Sequence, residues 1–341
     1  ILKNYRMVFD NSYEERFVNF NNNKKIDKVN KENILKLINK YKISDTHIRP
    51  EYLDYKKYKN FISSNSLIYL FLKDLYRSFR RGIFSKSNYV INLSLKKQFI
   101  DQNPPIEIRS IFLTLFGRLK ILKLKKLYRS ISTKPNFNYK YVLFCPNVQP
   151  EASTLPLAND FVDFINLINL LIKYLPSDWK IFYKEHPLTF SLIKEAHLVK
   201  DKNYYKNLIS DKIIFIDHDY DIYELIKCSQ FVVTPTGSVG IESIIKSKIV
   251  LNFGNAWWKN YQNVSNISEE KKLKETFSAI LDNKIHVNQS TLEKDIIDTF
   301  EKTIDFPYYY IENNNDQTLK KFYKTNNWKE LQNKFNESLD F

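Results

Sequence analysis

The chain of 341 residues has only two cysteines, Cys145 and Cys228. Each sits inside or beside an apolar run, and together they fit no metal-ligand spacing. A reduced, cytosolic setting is therefore expected. No run of about 18 apolar residues occurs, so no helix is expected to span a bilayer. The most apolar stretch, Phe161 to Leu175, is interrupted by Asp163, Asn166, Asn169 and Lys173, as in a soluble amphipathic helix. Internal repeats and nucleic-acid-binding motifs are lacking, which argues against an RNA or DNA partner. The chain opens on Ile1 rather than Met. It is read as missing an N-terminal piece, and no signal peptide is judged from such a start.

Acidic residues are missing altogether between Ile108 and Pro150, and this belongs to a larger asymmetry. The net charge of +15 divides into +19 over residues 1–140 and −4 over the remainder. Within the acid-free stretch, Phe116 to Arg129 mixes leucines with cations. Such a helix suits an anionic membrane or polymer, each basic residue contributing about 1 kcal/mol near an anionic surface. Alternatively it is a solvated basic helix packed by its leucines on a neighbouring domain. Peripheral association with the inner face of the cytoplasmic membrane follows from the first alternative.

What is present reads as two unlike halves, in a length that suits two domains. Over residues 1–138 apolar residues recur at helical spacing in Lys31–Tyr41, Ser66–Arg80 and Pro105–Ser130, with one short strand expected at Tyr89–Leu93. This half is either a truncated α/β domain or one whose strands are disguised by an Asn/Lys-heavy composition. Past the polar linker Asn136–Tyr139 the pattern changes. Apolar strands are expected at Tyr141–Cys145, Lys180–Tyr183, Lys212–Ile216, Gln230–Val233 and Lys248–Phe253. Helices are expected at Phe161–Leu175, Ile222–Cys228, Val239–Lys246 and Glu269–Asp282. Short apolar strands alternating with helices predict an α/β domain with a parallel sheet over residues 139–290. Residues 291–341 read as further helices, Thr291–Ile304 and Asp316–Leu339, joined through Glu312–Asn315 and packing back on the first domain.

In an open parallel sheet, ligands bind beyond the carboxyl ends of the strands. Four polar peptides are expected there: Pro146–Thr154, Lys184-Glu185-His186-Pro187, Asp217-His218-Asp219, and Thr234-Pro235-Thr236-Gly237-Ser238-Val239-Gly240. In the last, Gly237 permits close backbone approach or positive φ. Hydroxyls and the opening amides of a helix favour a phosphate, against the plainer reading of an ordinary N-cap. Glu242 lies one turn further on and suits ribose hydroxyls. His186, fixed by Pro187, suits a donor phosphate, with Lys184 adding charge. Glu151 is the best placed carboxylate for a base or nucleophile, with Asp217 and Asp219 as alternatives. His218 reads better as a surface loop residue. Gln149, Trp257 and Trp258 are candidates for acceptor contacts, or the tryptophans cover a seam between domains.

These peptides resemble the capsule polysaccharide biosynthesis family, which includes the β-Kdo transferases of capsule assembly. The resemblance rests on Gln149–Thr154, Lys184–Pro187, and Thr236–Glu242 followed by Lys248–Gly254, and covers about Tyr141 to Trp258. It implies a GT-B glycosyltransferase with two facing Rossmann-like domains, no metal and no cofactor. His186 would contact the donor phosphate and Thr236–Ser238 would hold the rest of it. The His-Pro pair looks like that of transferases using CMP-activated acidic sugars such as CMP-Kdo, acting on a saccharide or lipid-linked acceptor. A CDP-polyol phosphotransferase, a sugar-nucleotide epimerase-like enzyme and a non-catalytic polysaccharide-binding protein are the alternatives.

Overall fold

The computed structural model describes residues 5–8, 35–36, 38–39, 64–80, 108–151, 154–155, 157–192, 196–301 and 303–306. Near-continuous apolar runs need cover on both faces, and the second half of the chain is arranged accordingly. After β1 (Tyr5–Val8) and the helices α1 (Ser64–Arg80) and α2 (Ile108–Ile131), the chain enters a parallel sheet. Its strands are β2 (Tyr141–Phe144), β3 (Lys180–Lys184), β4 (Ile213–Ile216), β5 (Val232–Thr234), β6 (Val250–Asn252) and β7 (Val264–Asn266). All neighbouring pairs are parallel, in the order β4-β3-β2-β5-β6-β7. The connecting helices are α3 (Phe164–Tyr174), α4 (Lys202–Leu208), α5 (Ile222–Cys228), α6 (Val239–Ile245) and α7 (Glu270–Leu281).

The five expected strands form where the sequence places them. The sheet gains β7, a three-residue edge strand with a polar majority that apolar patterning does not reveal. The short α4 is a second addition. Its start is fixed by Asp201, whose side chain accepts from Tyr204 N at 2.8 Å. Asp163 and Asp221 cap α3 and α5 in the same way, satisfying amides that have no partner within the helix. α8 (Gln289–Glu301) ends earlier than expected, because the backbone leaves the helix to form β8 (Thr303–Phe306), antiparallel to β1. The helix expected at Lys31–Tyr41 is described only at residues 35–36 and 38–39, which are helical. The strand at Tyr89–Leu93, the loop Glu312–Asn315 and the helix Asp316–Leu339 lie outside the described residues.

Side chains alternate across the sheet as the pleat requires. Tyr141, Leu143, Phe182, Ile216 and Val232 meet Leu225 and Ile226 of α5 on one face. Val142, Phe144, Ile181, Tyr183, Phe215 and Val233 pack on the other face with Leu167 and Leu171 of α3. That second face is also covered by α2, whose Ile121, Leu124 and Tyr128 are buried in the same core. The leucine-and-lysine stretch is thus a covering layer of the sheet, while Lys120, Lys123 and Lys126 are exposed. α1 joins α2 through a largely buried ion pair, Asp74 to Arg118 at 2.8 Å. α8 shares a third core with α6, Trp258 and Ile38. No described helix is long and apolar enough to cross a membrane.

Tyr128 ties α2 to the ends of two strands. Its hydroxyl donates to Ile216 O at 2.8 Å, lies 3.2 Å from Tyr183 O, and accepts from Glu185 N at 3.1 Å. Replacing Tyr128 by Phe orphans a buried amide and carbonyl, for which about 1–3 kcal/mol of lost stability is expected. Urea titration should show a lower midpoint with an unchanged slope.

Candidate functional site

The order β4-β3-β2-β5-β6-β7 places a topological switch between β2 and β5: the chain leaves β2 towards one edge and later returns to β5 on its other side. At such a point the loops beyond the strand ends diverge and leave a crevice. Here the two loops are linked by one side chain. Asn147, just past β2, donates from Nδ2 to Thr236 Oγ1 at 3.0 Å and accepts from Thr236 N at Oδ1, 3.3 Å. Thr234, fully buried at the end of β5, accepts from Gly237 N at 3.1 Å. A Cβ on Gly237 would lie 2.6 Å from Thr234 Oγ1, so close approach, rather than a positive φ, demands glycine. Ser238 already has helical φ and ψ, is exposed, and makes no side-chain cap. The ordinary N-cap reading therefore does not describe it. Val239 opens α6, and Glu242, one turn on, is buried.

The peptide after β3 divides between the two faces. Lys184 is buried and donates from Nζ to His218 O at 2.9 Å. Its charge reaches the Cys145 thiol, which burial pushes up to about 12, Lys184 acting downward and Glu242 and Glu185 upward. Glu185 points into the core instead. It is fully buried and accepts from Lys200, Tyr183, Tyr205 and Thr189, so the expectation that it lines an anion site is corrected. His186 is half-buried, and its Nδ1 accepts from Leu188 N at 3.1 Å. In the neutral ring that leaves the proton on Nε2, a donor for an anionic ligand. Pro187 begins the 3-10 turn Pro187–Phe190 that holds this geometry.

Other candidates settle differently. Glu151 is half-exposed and its carbonyl accepts from Thr154 N at 2.9 Å, opening a turn. Gln149 is buried, its amide donating to Val162 O at 2.9 Å. Trp257 is 44% exposed, whereas Trp258 is fully buried with its indole against Gly240. The acceptor-stacking expectation is corrected for Trp258, which serves as apolar core. A groove of about 420 Å³ runs along the edge strand β7 and α7, lined by Ser265, Lys272 and Thr276 among others.

His218 is the clearest departure from expectation: it is not a surface residue but 1% exposed, edge-on to Tyr128 and Phe190. Asp217 and Asp219 flank its ring at 3.1 and 3.5 Å, yet neither ring nitrogen makes a well-formed hydrogen bond. The three side chains offer ligand atoms within 4.8 Å of one another, but Arg129 already donates to Asp219 at 3.2 Å. Asn147, Tyr128 and Lys200 hold the strand-end peptides in place, and the sequence alone does not single them out. Asn147 was legible as a polar residue at a strand end. The other two meet Glu185 only through tertiary packing.

The His218 pKa is lowered, chiefly by burial; Asp219 and Asp217 oppose this, and Lys125 and Arg129 reinforce it. The unfolded chain therefore takes up the proton first, so stability is present above the ordinary histidine range and is lost as pH falls through it. The melting temperature should drop between about pH 7 and about pH 5, and His218→Leu should reduce that dependence. An equal drop in the variant would contradict the assignment.

Comparison with known proteins bears on this arrangement. Residues 140–304 match the family model described as capsule polysaccharide biosynthesis protein. No curated protein matches the chain. Among solved structures, it is similar to the β-Kdo 2,7 transferase of KpsC from Thermosulfurimonas dismutans, at 17% identity over 53% of this chain and 51% of that one, TM-score 0.31. It is also similar to a UDP-GlcNAc 2-epimerase from Methanocaldococcus jannaschii, at 16% identity, 55% and 54% coverage and TM-score 0.34. HepE from Anabaena, in complex with UDP-glucose, gives 15% identity, 60% and 53% coverage and TM-score 0.34. The chain spans about half the length of these structures. The matched residues, 140–304, make up just under half of the chain.

Proposed function

We propose that the protein is a glycosyltransferase of surface polysaccharide biosynthesis, using a nucleotide-activated sugar, most simply a CMP-activated acidic sugar. The observation that carries this reading is the Asn147–Thr236 link across the sheet's switch point. The family-model match over residues 140–304 supports the polysaccharide context. The turn Thr234–Ser238 and Val239 would seat the donor phosphate, with Nε2–H of His186 and the charge of Lys184 stabilising the leaving group. Donors fixed in place before reaction cost no reorganisation when negative charge develops. Glu242 would face the ribose. Glu151 would deprotonate the acceptor hydroxyl or attack the anomeric carbon, with Trp257 towards a saccharide or lipid-linked acceptor.

In this reading the enzyme has a GT-B arrangement, with residues 1–138 on the acceptor side, 139–290 holding the donor and 291–341 completing the fold. Peripheral contact with an anionic membrane belongs to the same proposal. It is supported by exposed Lys120, Lys123 and Lys126 on α2, and by Phe112, Leu113 and Phe116, which are 47%, 61% and 59% exposed.

The test is a thermal-shift panel of CMP, CDP, UDP and GDP. A nucleotide at about 100 times its dissociation constant adds about 2.7 kcal/mol to stability. The largest shift is expected with CMP, and a much smaller one in His186→Ala and Gly237→Ala. A full CMP shift in both variants would contradict the site. Transfer of a phosphodiester unit in product analysis would favour a polyol phosphotransferase instead.

A further inference from the structure

Beneath the His-Pro turn lies a buried charge that the proposed chemistry does not use. The Glu185 carboxylate and the Lys200 ammonium are both completely inaccessible, 2.7 Å apart. One carboxylate gathers five hydrogen bonds: two from Lys200 Nζ at 2.7 and 2.9 Å, and one each from Tyr183 at 2.6 Å, Tyr205 at 2.9 Å and Thr189 at 3.0 Å. Its own amide donates to Tyr128. Taking two charges out of water costs several kcal/mol each, and a buried pair is often no more stabilising than apolar side chains of the same volume. Stability is thus a weak reason for this arrangement. What it does supply is geometry.

That geometry ends on His186. Residue 185 is held at its amide and at its carboxylate. Three residues after His186, Thr189 is held to the same carboxylate, and its amide donates to His186 O at 2.9 Å. The imidazole therefore sits between two anchored points, with Nδ1 engaged by Leu188 N inside the turn. We propose that Glu185, tethered to Lys200 and reaching Thr189, is a positioning residue that fixes the tautomer and direction of the His186 ring. The assignment rests on the reading of His186 as a donor-phosphate contact. The flanking tyrosines suit the role: burial first, and Glu185 second, raise both Tyr183 and Tyr205 well above the ordinary phenol range, so they remain donors.

The experiment uses the full chain with Thr189→Val, Thr189→Ser and His186→Ala. Thr189→Val removes the tether and leaves the Glu185–Lys200 pair intact. Titration with CMP should show a dissociation constant raised about tenfold in Thr189→Val, equivalent to one hydrogen bond to a charged group. Thr189→Ser should recover wild-type affinity. Nitrogen-15 histidine spectra read the positioning without any ligand. The His186 signal should report Nε2–H alone in the wild type and in Thr189→Ser, and a tautomer mixture in Thr189→Val. An unchanged tautomer in folded Thr189→Val overturns the proposal. If His186→Ala binds CMP like the wild type, the donor-site reading fails, and the spectra still decide whether the tether orients the ring. Should Thr189→Val fail to fold, the double variant Glu185→Gln, Lys200→Met keeps the volume, removes both charges, and is expected to give the same mixed tautomers. A single unperturbed tautomer there overturns the proposal equally.

Discussion

The carboxyl ends of β3 and β4 lie beneath a helical layer, so their last backbone groups must find partners inside the protein. Tyr128 provides them, linking Ile216 O and Glu185 N through one hydroxyl. The rest of the arrangement depends on that contact. It fixes α2 on the sheet and sets the height at which the chain leaves β3. From there the Lys184–Pro187 peptide can send one side chain to each face of the sheet. Lys184 goes towards the end of β4, where it donates to His218 O, and Glu185 into the core. The site is thus built on strand ends whose positions are determined by packing, which is how a polar crevice acquires a defined shape.

Charge is distributed to suit. The chain as a whole carries +15, with the excess cations in its first 140 residues. On α2 Lys120, Lys123 and Lys126 face outward while Ile121, Leu124 and Tyr128 complete the core. One helix thereby combines a structural inner face with a cationic outer one. Arg129, at its end, reaches Asp219 beyond β4, bringing positive charge close to the strand tips.

Most of the architecture was legible because its signals are local. Runs such as Tyr141–Phe144 and Ile213–Ile216, punctuated by Asp-capped helices, can fold only as covered parallel strands. β7 escaped because Val264-Ser265-Asn266 owes its strand form to pairing with β6 rather than to its own apolarity. The strand-end peptides were also readable, and Asn147 and Thr236 do meet. What residue type does not disclose is direction. Glu185 and His186 are adjacent, yet one is sealed in the core and the other half-exposed. His218 looked like a loop residue, but Tyr128 and Phe190 enclose it. Trp258 reads as a stacking surface, but its indole fills the space that Gly240, lacking a side chain, leaves open. In each case a partner distant in sequence decides the outcome.

The central claim is that peptides on both sides of the β2–β5 switch grip one anionic leaving group. Hydrogen exchange with and without saturating CMP, and in parallel with UDP, tests it most directly. The account predicts joint protection of residues 146–151, 184–190 and 234–239 with the preferred nucleotide. Protection confined to the groove along β7 and α7, with the three strand-end peptides unchanged, would contradict it.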